Sequence, residues 1–289
     1  MSAHHNSVHL YAGVCKDPTI KTNAEGQYEK AIFYVHTIRS SRPYKDQNEK
    51  HEIEFDQVLI ITKTPEIIAK LDTIHKNDIV LIKGTVTTRN QVKTTTCNNC
   101  GETFSVNEST DSEFNTSMIT SVTPIDIEVI KRDLTNEEMR EELISHKEIS
   151  NEVMLIGNLC DDPQFFKTKH QKLTSYQLGI TRKLYLKEDS PEINADYPYI
   201  RVYGEQADLD YKLLRKASMV MIDGFLKVRP FTRHTECPCC GEKKDVNDAN
   251  LEVVPYTTEY LQNYTTMEEY NAAKEDEYKE SMRNAGFYE

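Results

Sequence analysis

The chain has 289 residues, of which 38% are apolar and 28% charged, with 35 Lys and Arg against 47 Asp and Glu for a net charge of −12. That is enough for two compact domains, and the apolar fraction excludes wholesale disorder. No apolar stretch approaches the roughly 18 residues of a membrane span, and Met1 to Gly13 lacks the apolar centre of a secretory signal, so a soluble cytosolic protein is expected. The negative charge is uneven: 1–132, 133–150, 151–262 and 263–289 carry −2, −4, −2 and −4. Two long, nearly neutral blocks are thus each followed by a short acidic segment, and an acidic total is compatible with a local basic groove.

In chain order, the first block opens with Val8-His-Leu-Tyr-Ala-Gly-Val-Cys-Lys-Asp-Pro18, a strand closed by a turn. Ala31–Arg39 is rich in aromatic and β-branched residues, and 52–62 alternates Ile53 and Phe55 with Glu52, Glu54 and Asp56 before an apolar run; both read as strands. Thr64 with Pro65 predicts a helix start, and Ile67, Leu71 and Ile74 share its inner face. A further strand covers 78–89, and the block ends in an acidic helix over 134–147, opened by the capping box Thr135-x-x-Glu138. The second block repeats this plan. Val153 to Pro163 matches Val8 to Pro18 at an offset of 145, while Gly84, Arg89 and Cys97-x-x-Cys100-Gly match Gly224, Arg229 and Cys237-x-x-Cys240-Gly at an offset of 140. Ala207, Tyr211 and Leu214 take the three helix positions, and Thr266-x-x-Glu269 begins a second acidic helix within 265–284. Both acidic helices read first as solvated, with a protein-docking arm as the alternative.

Five strands per unit, with a helix between the third and fourth and a long hairpin between the fourth and fifth, describe an oligonucleotide/oligosaccharide-binding (OB-fold) barrel. The expected architecture is mainly β. OB-fold domain 1 covers 1–132, an acidic connecting helix 133–150, OB-fold domain 2 covers 151–262 and an acidic tail 263–289.

The wording of the second unit is more specific than its periodicity. Asn151-Glu-Val-Met-Leu-Ile-Gly-Asn-Leu-x-x-Asp-Pro163, Tyr197-Pro-Tyr-Ile-Arg-Val-Tyr-Gly204 and Val220-Met-Ile-Asp-Gly-Phe-Leu-Lys-Val-Arg229 resemble bacterial single-stranded DNA-binding proteins over most of 151–231, and more faintly over 6–90. The resemblance implies a non-catalytic protein that coats single-stranded DNA in replication, recombination or transfer. Bases would stack on aromatics that line a basic groove. Carried over residue by residue, it assigns the aromatic opening the third strand to Phe55 and Tyr197. The aromatic after Gly-x-hydrophobic-x-x-Arg becomes Phe231, with Gln91 in its place in the first unit. Arg89, Arg229 and Lys227 would contact the backbone. Tyr185 lies nearest the position of the second-strand aromatic, on a segment with Arg182 and Lys183. Phe33 and Tyr203 read as core residues. There is no tryptophan, so Tyr and Phe would supply all the stacking. A barrel scaffold that binds proteins is the alternative function. The acidic C-terminal segment is the place for replication or recombination partners, two chains could pair as a homodimer, and no membrane role is expected.

The two Cys-x-x-Cys-Gly motifs have the form of zinc knuckles, a feature outside the ordinary pattern of that family. Two thiolates three residues apart reach one ion, and the glycine opens the turn so that amides point at sulfur. A structural zinc takes four ligands, so the economical expectation is one shared site of Cys97, Cys100, Cys237 and Cys240; separate ions, the second held with Cys239 or His234, are the alternative. Cys15 and Cys160 read as buried small hydrophobes. No phosphate loop, zinc-protease or serine-hydrolase motif occurs. An acidic pair such as Asp208 with Asp210 could hold magnesium in a nuclease, but Ile68 and Lys70 are their counterparts in the first unit.

Overall fold

The computed structural model describes residues 4–39, 53–90, 93–106, 118–167, 171–183 and 193–263, together with 272, 275–276, 278–280 and 282–283. Tyr185, Gln91 and the capping box Thr266-x-x-Glu269 lie outside them.

The first barrel is built from β1 (His5–Val14), the hairpin β2 (Thr19–Thr22) to β3 (Tyr28–Ile38), β4 (Phe55–Thr62), α1 (Pro65–Leu71), β5 (Ile79–Asn90) and β8 (Met118–Lys131). The short hairpin β6 (Thr94–Thr96) to β7 (Thr103–Ser105) lies between β5 and β8. β1 pairs with β3 and β5, β3 with β4, β5 with β8, and the parallel contact of Ile60 with Val122 joins β4 to β8 and closes the ring. After α2 (Asn136–Ser145) the second barrel follows the same path. It uses β9 (Glu152–Leu159), β10 (Gln164–Lys167), β11 (Lys172–Thr181), β12 (Ala195–Asp196), β13 (Tyr199–Tyr203), α3 (Glu205–Leu213), β14 (Met219–Glu236) and β15 (Lys243–Gln262). Ile200 beside Val253 is its parallel closure.

Alternation along each strand explains the closure. Leu10, Phe33, Ile60 and Ile82 of the first barrel, and Leu155, Leu178, Ile200 and Ile222 of the second, are fully buried, and their neighbours along the strands face outward. Gly84 and Gly224 each sit at a bulge where the strand bends sharply. A Cβ on Gly84 would lie 2.7 Å from the carbonyl oxygen of Thr123, and the approach at Gly224 is closer still, so no larger residue fits.

The barrels join edge to edge through β1 and β9, which run antiparallel with Val8 opposite Val153. These two valines are equivalent at the 145-residue offset, so a local two-fold axis passes between them.

Two helix expectations are corrected. Thr64 occupies the N-cap position of α1, but its side chain makes no capping bond. Tyr211 is exposed and stacks on Phe165, while Asp210 turns inward instead. The capping box of Thr135 and Glu138 is formed as expected. α2 nevertheless is not solvated all round: Met139 and Leu143 pack on Tyr11, Ile38 and Ile79 of the first barrel. Among the described residues no helix is long and apolar enough to cross a membrane.

Candidate nucleic-acid interface and metal centre

The outer face of β10, β11 and β13 carries side chains that alternate with the core. Phe166, Leu173 and Tyr203 form one row across the three strands, and Gln177 with Tyr199 forms another. Tyr203 is therefore a half-buried surface residue, which corrects its reading as core, whereas Phe33 is fully buried. Lys227 of β14 places its ammonium 5.4 Å from the centre of the Tyr203 ring. Burial, assisted by the charge of Arg39, lowers its pKa.

Further along β14, Arg229, Phe231 and Arg233 occupy alternate positions on one side. The guanidinium carbons of Arg229 and Arg233 lie 5.7 and 4.9 Å from the centre of the Phe231 ring. Arg229 donates to Glu252 at 2.6 Å and Arg201 reaches the same carboxylate at 2.7 Å. Arg233 donates to Asp248 at 2.6 Å, and Lys93 of the first unit pairs with that same aspartate. A half-buried aromatic is thus framed by cations fixed by buried or half-buried carboxylates.

The remaining carried-over residues fall in different surroundings. Tyr197 is exposed, and its N–H donates to Thr88 Oγ1 at 2.9 Å. Phe55 is half-buried against the α2 contact, with the Arg140 guanidinium 4.4 Å above its ring. The two are not equivalent positions. The matched parallel contacts align Ile60 with Ile200, which sets Phe55 against Ala195 and Tyr197 against Gln57. Arg89 is half-buried, and burial together with the charge of Arg182 lowers its pKa. Lys183 is half-buried at the end of the described segment.

Arg182 belongs to the joint between the barrels. It is 6% exposed, its Nε donates to Asp196 at 3.0 Å, and its guanidinium also donates to the Thr88 carbonyl at 3.0 Å. Asp196 accepts the N–H of Thr88 across the joint at 2.8 Å. The arrangement recurs in reverse: Arg39 pairs with Asp56, and Asp56 accepts the N–H of Val228 at 3.0 Å. Thr88 and Val228 are equivalent, as are Asp56 and Asp196, at the 140-residue offset. Each barrel therefore holds the fourth strand of the other through a buried carboxylate. Sequence reasoning missed this joint, although the matched Asp56 and Asp196 were a signal for it.

The tips of the two long hairpins meet. The sulfur atoms of Cys97, Cys100, Cys237 and Cys240 all lie within 4.8 Å of one another. Cys97 is 3.5 Å from Cys240 and Cys100 is 3.6 Å from Cys237. Four thiolates held tetrahedrally about 2.3 Å from a metal ion sit about 3.8 Å apart, so the donor set fits one ion. Both turns have the same form. Cys97 N–H donates to the Glu102 carbonyl and Gly101 N–H to the Cys97 carbonyl, with Cys237, Glu242 and Gly241 repeating the pattern. Gly101 and Gly241 adopt φ of +76° and +72°, where glycine is favoured. Backbone amides, that of Cys100 foremost, pull the Cys97 thiol down to about 7. Cys239 and His234 are exposed, and His234 is paired with Asp245. Cys15 and Cys160 are half-buried, and burial raises their thiols to about 12 and about 11.

The acidic pair is structural. Asp208 is bound by Lys172. Asp210 is fully buried and accepts from Tyr176, Gln206, Tyr260 and Thr258, which leaves it no open face for an ion.

Comparison with known proteins agrees with this architecture. Residues 150–244 match the Single-strand binding protein family. The fold is similar to the crystal structure of the wild-type single-stranded DNA-binding protein from Thermus aquaticus, with a TM-score of 0.59 and 12% identity, over 92% of this chain and 97% of that one. A deletion variant of the Thermus protein gives a TM-score of 0.58 and 14% identity, over 92% and 98%. No curated protein matches in sequence. The family match thus falls on the second barrel, and the likeness of fold to the Thermus protein extends over both.

Proposed function

We propose that the chain is a non-catalytic protein that binds single-stranded DNA largely without regard to sequence, and that it coats and protects it in cytoplasmic replication, recombination or DNA transfer. The observation that carries this reading is the outer face of the second barrel. Phe166, Tyr199 and Tyr203 lie there, the last beside Lys227, and the same β14 leads to Phe231 between Arg229 and Arg233. The face of strands two and three, with the hairpin between strands four and five, is where OB-folds take oligonucleotides. A single strand exposes base faces that such rings can stack, each worth about 1–3 kcal/mol whatever the base, while the cations release counterions from the phosphates. Tyr197, exposed beside the joint, is a further ring for stacking, whereas Phe55 is covered by Arg140.

The domains are 1–132 and 151–262, linked by 133–150, and 263–289 is the place for protein partners. The four-cysteine cluster holds one structural Zn²⁺, which ties the two hairpins together. One chain with two barrels is the functional equivalent of a dimer, and a homodimer of chains would present four.

Titration with oligo-dT, following tyrosine fluorescence at two salt concentrations with duplex DNA as control, tests the reading. Quenching that saturates with single strands, weakens with salt and is absent with duplex is expected. No binding by folded, zinc-loaded protein at low salt overturns it in favour of a protein-binding scaffold.

A further inference from the structure

The two barrels share a plan, yet one matched row of their outer faces differs sharply in chemistry. In the second barrel β10, β11 and β13 place Phe166, Leu173 and Tyr203 in one row. In the first barrel Lys21 of β2 stands opposite Lys30 of β3, and Lys63, one residue past β4, continues the register opposite Lys30. The strand offsets make these the same places. Lys21 corresponds to Phe166 at 145, Lys30 to Leu173 at 143 and Lys63 to Tyr203 at 140. Those offsets are set by the matched strand starts, by the alignment of the Phe33–Ile60 pair with Tyr176–Ile200, and by the two parallel closures. An apolar row has been exchanged whole for a lysine row.

The lysine row is electrostatically coherent. Lys30 lies within the fields of Arg89, Lys21 and Lys63, and these, after burial, lower its pKa. In the second barrel Arg201 and Arg229 share the buried Glu252. At the position of Glu252 the first barrel has Ser121, which forms a hydroxyl network with Thr87 instead. Among the described residues Lys21, Lys30, Lys63 and Arg89 form no salt bridge, and the carboxylates that act on them, Glu29 on Lys30 and Asp196 on Arg89, do so from further off. Four cations gather on the face of strands two to four, where the exposed ring is that of Tyr34, with the Lys16 ammonium 6.0 Å from its centre.

We infer that the barrels divide the work of holding a single strand: the Phe166 and Tyr203 rings of the second barrel, on either side of Leu173, stack bases, and the Lys21, Lys30, Lys63 and Arg89 cluster of the first holds the phosphodiester backbone. The division rests on the single-strand-binding reading and assigns it two separable parts. Discrimination against duplex comes from the second barrel, because duplex DNA hides base faces but not phosphates. Salt dependence comes disproportionately from the first.

Two variants of the full chain test this with a fluorescently labelled oligo-dT, read by polarisation from low to moderate salt. Lys21→Gln with Lys30→Gln and Lys63→Gln flattens the slope of log affinity against log salt by about 2, at about 0.7 for each phosphate that is no longer neutralised. It leaves tyrosine quenching at saturation unchanged. Phe166→Leu with Tyr203→Leu weakens binding about 30-fold or more at every salt concentration, keeps the slope, and narrows the preference over duplex. An unchanged melting midpoint confirms folding of each variant. Equal slopes in the lysine variant and the unaltered chain, or loss of slope in the aromatic variant, overturn the division while leaving single-strand binding intact. Failure of the unaltered chain to bind oligo-dT overturns the parent reading and the division with it.

Discussion

Asn6 and Asn151 each do with one side chain what a further strand would do with its backbone. Asn6 Nδ2 donates to the Val86 carbonyl at 2.7 Å and its Oδ1 accepts the Val86 N–H at 2.9 Å. Asn151 repeats both bonds on Leu226 at 2.8 and 2.9 Å. Both asparagines are buried, so truncation strands a donor and an acceptor away from water. Asn151→Ala is expected to lower the unfolding free energy by about 2–4 kcal/mol, from about 1–3 kcal/mol for each unsatisfied group, as measured by urea denaturation. The buried pair of Arg182 and Asp196 makes a sharper case. Asp196→Ala leaves a guanidinium buried without its counter-ion and also frees the Thr88 N–H, so a loss of about 3–5 kcal/mol is expected in the same measurement. A loss under about 1 kcal/mol would mean that the joint contributes nothing beyond an exposed ion pair. Asn151 stands in the motif that resembles the family, but its bond partner lies 75 residues away and no local pattern names it.

Among the elements, α2 shows how composition misleads. Its sequence, Asn136–Ser145, is strongly acidic and its N-terminal cap is legible, so it reads as a solvated helix. Two apolar residues four apart are enough to dock it: Met139 and Leu143 meet Tyr11, Ile38 and Ile79, none of which is a sequence neighbour. Glu142 sits at the edge of that contact, accepts from Tyr11 at 2.6 Å, and is paired with Lys131 at 2.6 Å. Those bonds, that of Lys131 first, hold its carboxyl below the usual range. A depressed folded-state pKa contributes stability above the unfolded value and loses it as pH falls through the folded one. The unaltered chain is therefore expected to lose more stability than Glu142→Gln between about pH 5 and pH 3, followed by thermal melting. Parallel acid limbs for the two proteins would refute a role for this contact. The connecting helix is then a brace for the first barrel as well as a linker.

Across the whole molecule, an approximate two-fold axis between Val8 and Val153 organises the joint. Around it lie the reciprocal carboxylates Asp56 and Asp196, and the two knuckles meet far out on the long hairpins. Symmetry explains why matched motifs meet: a two-fold axis brings each hairpin to its own counterpart. A shared centre predicts one zinc per chain, lost entirely on Cys97→Ser or Cys237→Ser, with a melting midpoint lower by about 5 °C or more after chelation. Metal analysis that finds half the zinc retained in either single variant would point to two separate ions.

The repeat, the strand order, the helix between strands three and four, the knuckle pairs and the resemblance of the second unit are all legible in the residues alone. Each is written in local patterning: alternation over a strand, spacing of three within a knuckle, a capping residue before a helix. Which outward residues share a surface is settled only when the strands pair in space. Tyr203 moves from core to outer face, Arg182 from the expected groove to the joint, and Phe55 loses its equivalence to Tyr197, because side-chain facing and inter-strand register depend on partners more than twenty residues away. The four cysteines show the two levels together. Their spacing in pairs is local and legible, whereas their meeting as one set of four required the antiparallel pairing of β1 with β9, which places two distant hairpins side by side.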